Sequence, residues 1–118
     1  MLTYEIANEW LDKLKTNWWN KDIEKATSLF KETTFYQESP FLEPFTTFEE
    51  IKGEWQCIKN QDIKAIEFKI LALDIDNNVL IVEWLFKRDI LEITGIYEIK
   101  FNSDLECIYF KSWDMIKP

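Results

Sequence analysis

The chain has 118 residues, with 14 Lys and Arg against 22 Asp and Glu and 47% hydrophobic residues, a make-up that fits one globular domain over residues 1–118 with a core of its own. It has no His and only two cysteines, Cys57 and Cys107. Zinc sites built from clustered Cys and His, and any catalytic triad with an imidazole base, are therefore excluded; no cofactor and no metal are expected, and proton transfer would fall to Asp, Glu, Lys, Tyr or Cys. The net charge of −8 repels a phosphate backbone, so nucleic acid is not an expected partner.

The first ten residues carry Glu5 and Glu9 and lack both a basic start and an apolar run, which does not fit a secretory signal. No apolar stretch approaches the ~20 residues needed to cross a bilayer, so no membrane association is expected. Two cysteines far apart in sequence fit a reducing, cytoplasmic address.

Apolar residues at Ile6, Trp10, Leu11, Leu14 and Trp18 fall on one helical face, and Thr3 is placed to cap it; a first helix is predicted over 5–18. Asn20 or Asp22 caps a short second helix that turns Ile23, Ala26, Leu29 and Phe30 inward and ends near Lys31. Residues 33–38 are rich in β-branched and aromatic side chains and run into Pro40, so they read as a short strand. Residues 40–46 follow as an ordered, apolar loop. Thr47-Phe48-Glu49-Glu50 has the form of a capping box, opening a third helix predicted over 48–60 with Phe48, Ile51, Trp55 and Ile58 buried. Cys57 on this helix reads as a small buried hydrophobe without chemistry.

Beyond Gln61 the period changes to that of strands, predicted over 63–73, 79–87, 91–101 and 105–113. Their short connections imply an antiparallel meander. In the second of these strands Leu80, Val82, Trp84 and Phe86 share one face, and Val79, Ile81 and Leu85 lie on the other beside Glu83. A sheet apolar on both faces must be covered on both, by the helices on one side and by a second copy of the chain on the other; a homodimer packed through the sheet is expected. The fold class is α+β, with the helices segregated from most of the sheet.

Residues 22–30, ending Ser28-Leu29-Phe30, then Phe35-Tyr36-Gln37-Glu38-Ser39-Pro40, Glu43-Pro44, the helix 49–55, Gly95 to Phe101, and Asp104 and Cys107 through Trp113 form an ordered set. Together they resemble the nuclear transport factor 2-like superfamily, in particular its SnoaL-like branch, over nearly the whole chain. The resemblance implies a strongly curved antiparallel sheet wrapped around three N-terminal helices, making a cone with an open mouth and an apolar interior. Members use such a cone as an enzyme active site, as a ligand pocket or only as a pairing scaffold, so the fold leaves function open. The chain departs from the pattern at Leu105, where a Gly is usual, and Asn102, Ser103 or Asp104 is then expected to supply the turn geometry.

The resemblance to ketosteroid isomerase-like members places Glu38 where they carry a carboxylate base; in an apolar cone its pKa would rise toward neutrality. The alternative is a solvent-exposed or Lys-paired strand end. Tyr97 shares the apolar parity of its strand with Ile93, Gly95, Ile99 and Phe101, and either hydrogen-bonds a substrate carbonyl or fills the core. The isomerase pattern has a further Tyr on the first helix, where this chain has Leu14.

Six tryptophans suit the walls of a pocket for a flat apolar ligand, and Trp18, Trp55, Trp84 and Trp113 are taken as ligand contacts with Leu14, Tyr36, Glu38, Tyr97 and Asp114. Glu83 is a further carboxylate that would face inward if bulges changed the parity of its strand. The expected partner is a small, mostly apolar molecule of unspecified identity. The alternatives are an acid–base isomerase, cyclase or dehydratase using Glu38, and an interaction module without a functional pocket.

Overall fold

The computed structural model describes residues 1–118. Helix α1 (Tyr4–Trp19) begins where the Thr3 hydroxyl accepts the Ile6 amide at 3.2 Å, and it buries Ala7, Trp10, Leu11, Leu14 and Trp18. Its stripe is the one the 3.6-residue spacing predicts. Lys21, in the left-handed region at φ 56°, reverses the chain into α2 (Ile23–Ser28), capped by Asp22. This helix stops a turn before Lys31. The hydroxyls of Thr27 and Ser28 bond back to the carbonyls of Ile23 (2.7 Å) and Lys25 (2.6 Å), and Leu29 and Phe30 close the segment with tighter three-residue bonds.

Strand β1 is only Phe35–Gln37. The flanking residues are held in other ways: the Thr33 hydroxyl donates to the Cys107 carbonyl at 2.7 Å, and residues 38–45 fold back so that Tyr36 and Phe45 exchange backbone bonds. Within that loop only Phe45 packs against the core, while Phe41 and Leu42 are exposed. Helix α3 (Phe48–Trp55) opens with the full capping box between Thr47 and Glu50, then tightens into a 3-10 turn at Gln56–Asn60. The tighter winding rotates the side chains away from the α-helical register. As a result Ile58 stays buried, and Cys57, expected inside, is exposed.

The sheet consists of β1, β2 (Ile63–Asp74), β3 (Val79–Arg88), β4 (Leu91–Phe101) and β5 (Cys107–Ile116), in the order β1-β5-β4-β3-β2. All pairs are antiparallel except β1 with β5. Register shifts interrupt β2 between Ile63 and Ala65 and between Ile70 and Ala72, and β5 at Ile108, opposite Lys100 and Phe101; each increases local twist and bends the sheet around the helices. Leu80, Val82, Trp84 and Phe86 are buried on the concave face together with Tyr97, Ile99 and Phe101. Glu83 is exposed on the convex face, which removes it from the inward-facing candidates.

The hairpin between β4 and β5 differs from expectation in an instructive way. Leu105 itself takes the left-handed conformation, at φ 62°, while Asn102, Ser103 and Asp104 keep negative φ. A left-handed non-glycine residue costs about 1–2 kcal/mol, and Asn102 offsets it: its Oδ1 accepts the amides of Asp104 (3.0 Å) and Glu106 (2.9 Å), and its carbonyl accepts the amide of Leu105. Leu105 also packs its side chain on the core, which a Gly there would forgo.

Asn102→Ala removes the two Oδ1 bonds and a third, from Asn102 Nδ2 to Glu106 Oε1 at 3.1 Å, so it should lower stability by about 1–3 kcal/mol in urea unfolding. Asn102→Asp keeps the acceptor but sets a second carboxylate against Glu106, so it should recover only part of that loss.

Candidate functional site

The strand register sets the site out in rows across the concave face. Trp84, Gly95 and Asp114 lie side by side on β3, β4 and β5, and the next row toward the closed end of the cone is Val82, Tyr97 and Ser112. Tyr36 of β1 lies beside Phe110, so Glu38, two residues on and of the same parity, follows it toward the open end, where α3 supplies Glu54 and Trp55. α1 contributes Leu14 and Trp18 from above.

The closed end is filled by aromatic packing. Trp10 meets Phe30 and Phe101 edge-on at 5.8 and 5.6 Å, and Tyr36 stacks on Phe110 at 5.2 Å. Toward the open end Trp18 lies against Phe86 (4.5 Å) and Trp55 (5.3 Å), Trp84 stacks on Tyr97 (5.2 Å), and a cavity of about 240 Å³ remains between them. Gly95 makes this arrangement possible. A Cβ there would lie 2.8 Å from the Trp84 ring and collide with the Trp113 carbonyl, so only Gly lets the indole cross the strand at this height.

A directed hydrogen-bond chain orients the carboxylate. The Trp55 indole N–H donates to the Tyr36 hydroxyl oxygen at 2.9 Å, and the Tyr36 O–H donates to Glu38 Oε2 at 2.9 Å. This leaves Oε1 free of the chain. Burial, the nearby Glu54 carboxylate and, more weakly, Asp114 push the Glu38 pKa up to about 7, against the opposing effect of the Tyr36 hydrogen bond. Burial, with the charge of Glu38, also raises the Tyr36 and Tyr97 phenols, so both stay protonated donors. The thiols are raised as well: Cys107 by burial to about 12, and Cys57 by burial and the charges of Glu38 and Glu54. Neither is a thiolate nucleophile at neutral pH.

Of the residues singled out from sequence, Leu14, Trp18, Tyr36, Glu38, Trp55, Trp84, Tyr97 and Asp114 come together around the cavity. Trp113 does not. It is 46% exposed on the convex face, with the Lys111 ammonium 3.9 Å over its ring, because β5 continues to Ile116 with unbroken alternation and Trp113 takes the outward position. Residues that sequence reasoning passed over include Glu54, Ser112, Arg88 and Phe86. Ser112 was detectable as the small polar residue between Phe110 and Asp114 on the inward parity; Glu54 carried no such signal, since it joins Glu38 only through the docking of α3. The indole N–H groups of Trp18 and Trp84, the Ser112 hydroxyl and Gln61 Oε1, all buried along this wall, have no hydrogen-bond partner in the protein. No group of three or more His, Cys, Asp or Glu side chains is placed to hold a metal ion, and no helix is long and apolar enough to cross a membrane.

No protein-family model matches the sequence, and no curated protein matches it. Solved structures do match in fold. A protein of unknown function from Burkholderia xenovorans, described as NTF-2 like, superposes with a TM-score of 0.73 at 10% identity, over 96% of this chain and 84% of that one. A steroid delta-isomerase from Pseudomonas aeruginosa gives 0.69 at 15% identity, over 99% and 82%. A putative SnoaL-like polyketide cyclase from Shewanella denitrificans gives 0.66 at 8% identity, over 92% and 89%.

Two outcomes follow from this geometry. Because folding raises the Glu38 pKa from 4.5 to about 7, the native state binds the extra proton across that window, and Glu38 contributes most favourably at acid pH. Stability should fall as pH rises from about 4.5 to about 7, by on the order of 1–3 kcal/mol, and the difference in urea midpoint between the native chain and Glu38→Gln should track that window. Gly95→Ala should displace Trp84, shift the tryptophan emission and cost about 1–3 kcal/mol in unfolding free energy.

Proposed function

The chain has the nuclear transport factor 2-like fold, and we propose that it binds a small, mostly apolar molecule in the open end of its cone. The observation that carries this reading is the unfilled, aromatic-walled cavity with four buried polar atoms left unpaired along it. Each such atom costs about 1–3 kcal/mol when buried without a partner, a cost a ligand can offset. A chain that used the fold only as a pairing module would be expected to fill its interior. Addition of an apolar ligand should change the fluorescence of Trp18 and Trp84, and Trp84→Phe or Ser112→Leu should remove or weaken the response. Absence of any response across a broad panel of apolar compounds would refute the pocket.

A second reading, acid–base catalysis, is favoured by the oriented Glu38. A carboxylate that titrates near neutrality, with Oε2 fixed by Tyr36, suits the removal and return of a proton at an activated carbon, and the Tyr97 phenol suits the oxygen on which charge develops. Tyr36 is then a positioning residue. The neighbouring structures include a steroid isomerase and a putative cyclase, which accords with this chemistry. Glu38→Gln should abolish turnover and leave ligand affinity nearly unchanged; Tyr36→Phe should move the acid limb of the pH–rate profile upward, because the hydrogen bond that lowers the Glu38 pKa is lost. Turnover by Glu38→Gln at the native rate would remove the catalytic reading.

The convex face supports a homodimer. Ile96 and Trp113 lie beside each other there, as do Thr94 and Met115, and the neighbouring Glu98 and Lys111 give a two-fold contact one charge of each sign to pair. Sedimentation should give a dimer at micromolar concentration and a monomer for Trp113→Lys; a native monomer would rule the dimer out. The free thiols of Cys57 and Cys107 accord with a cytoplasmic setting.

A further inference from the structure

The charges around the cavity go beyond what an apolar ligand requires. Glu38, Glu54 and Asp114 all line it, and both neighbours act on Glu38 to disfavour its ionisation. None of the three is in a salt bridge: the six ion pairs of the molecule use Asp22, Glu24, Asp62, Asp89 and Glu92 instead. Arg88 is the one basic side chain on the wall, and its Nη1 lies 3.2 Å from Asp89 Oδ2. The protein thus gathers three carboxylates around an aromatic chamber and supplies no free cation to balance them.

The two faces of the sheet differ in the same respect. On the convex face the protein covers its own rings with cations, Lys111 over Trp113 at 3.9 Å and Lys100 over Tyr109 at 4.5 Å. Inside the cone Trp18, Trp55, Trp84 and Tyr97 have no cation over them. An independent observation also points to an occupant. The Ser112 hydroxyl, in a side chain only 2% exposed, and the indole N–H groups of Trp84 (7% exposed) and Trp18 (9% exposed) line this chamber unpaired.

From this arrangement we propose that the cavity takes an organic ammonium: an apolar molecule whose positively charged nitrogen sits among Glu38, Glu54 and Asp114 and whose body lies against the indole and phenol faces. The inference rests on the pocket reading and specifies its ligand. A cation relieves the mutual repulsion of the carboxylates and gains from the negative faces of the rings, whereas an anion meets that repulsion and a neutral molecule gains from neither.

The ionisable groups facing Glu38 are Tyr36 from β1, Glu54 from α3, Cys57 from the turn after it, Tyr97 from β4 and Asp114 from β5, with Arg88 on the same wall; α1 contributes only Leu14 and Trp18. Burial and the charge of Glu54 raise the Glu38 pKa to about 7. An ammonium therefore competes with the proton on Glu38 and should bind more tightly as pH rises, opposite to a neutral ligand that accepts a hydrogen bond from the protonated acid.

The test uses an isosteric pair, benzyltrimethylammonium and neopentylbenzene, in which a carbon replaces the nitrogen. Each is titrated into the intact protein with tryptophan fluorescence and NMR shifts as readouts. The cation is expected to bind at least about tenfold more tightly than the hydrocarbon at about pH 8.5 and to weaken about tenfold by about pH 5.5. Glu54→Gln with Asp114→Asn, checked for an unchanged circular dichroism spectrum, should abolish the preference while leaving hydrocarbon affinity as it was. Equal or tighter binding of the hydrocarbon at about pH 8.5, or a cation affinity that rises toward acid pH, overturns the ammonium inference and leaves the pocket standing. Failure of the cation to bind at millimolar concentration and of the hydrocarbon to bind up to its solubility limit overturns the ammonium inference and counts against the pocket as well.

Discussion

The buried hydroxyl of Tyr36 is the constraint on which the site depends. A phenol fully removed from water must have its oxygen satisfied, and here it is satisfied twice: it accepts from Trp55 on α3 and donates to Glu38 at the end of β1. Its ring meanwhile stacks on Phe110 of β5 and meets Phe30 edge-on, so one side chain ties the third helix, the parallel edge strand, the last strand and the turn after α2 to a single point. A shift of α3 along the sheet would break the Trp55 bond and leave the buried indole N–H without a partner. The position of Glu54 follows from that anchor because it precedes Trp55 on the same helix.

The cavity arises from a difference between the two ends of the cone. At the closed end α1 presents Trp10 to Phe30, Phe101 and Phe110, and the aromatic edges and faces interlock. At the open end the chain turns away at Lys21, and the 3-10 turn after α3 buries only Ile58, so Trp18, Trp55 and Trp84 form walls without a filler between them. Gly95 supports the same outcome on the sheet side by allowing the Trp84 ring to cross the strand instead of standing upright into the space. The polar atoms left along this wall, and the three carboxylates around it, give a small chamber a strong chemical bias.

Glu38 shows how environment outweighs residue type. Asp62 is an acid of the same class, but on the open surface with Lys64 at 2.8 Å its pKa is lowered. Glu38 instead has two like charges nearby and little water, and its pKa rises to about 7. Raised acids of this kind weaken the fold while they equip a site, and the aromatic packing beneath Glu38 is what tolerates the cost.

The sequence by itself determined the order of helices and strands, the inward stripe of α1, the capping box of α3 and which residues of β3 share a face, because these rest on local periodicity and on side chains bonding within four residues of themselves. It also pointed to Glu38, Tyr97 and most of the aromatic wall. It did not reveal that Leu105 would take the strained turn position, that Cys57 would be exposed, or that Trp113 would lie outside the cone. These depend on where helices tighten, where strands bulge and how far β5 runs, which are settled by contacts between residues far apart in the chain. The gathering of Glu38, Glu54 and Asp114 is of that kind: three carboxylates on three elements meet only when α3, β1 and β5 are docked, and no spacing along the chain encodes their distance.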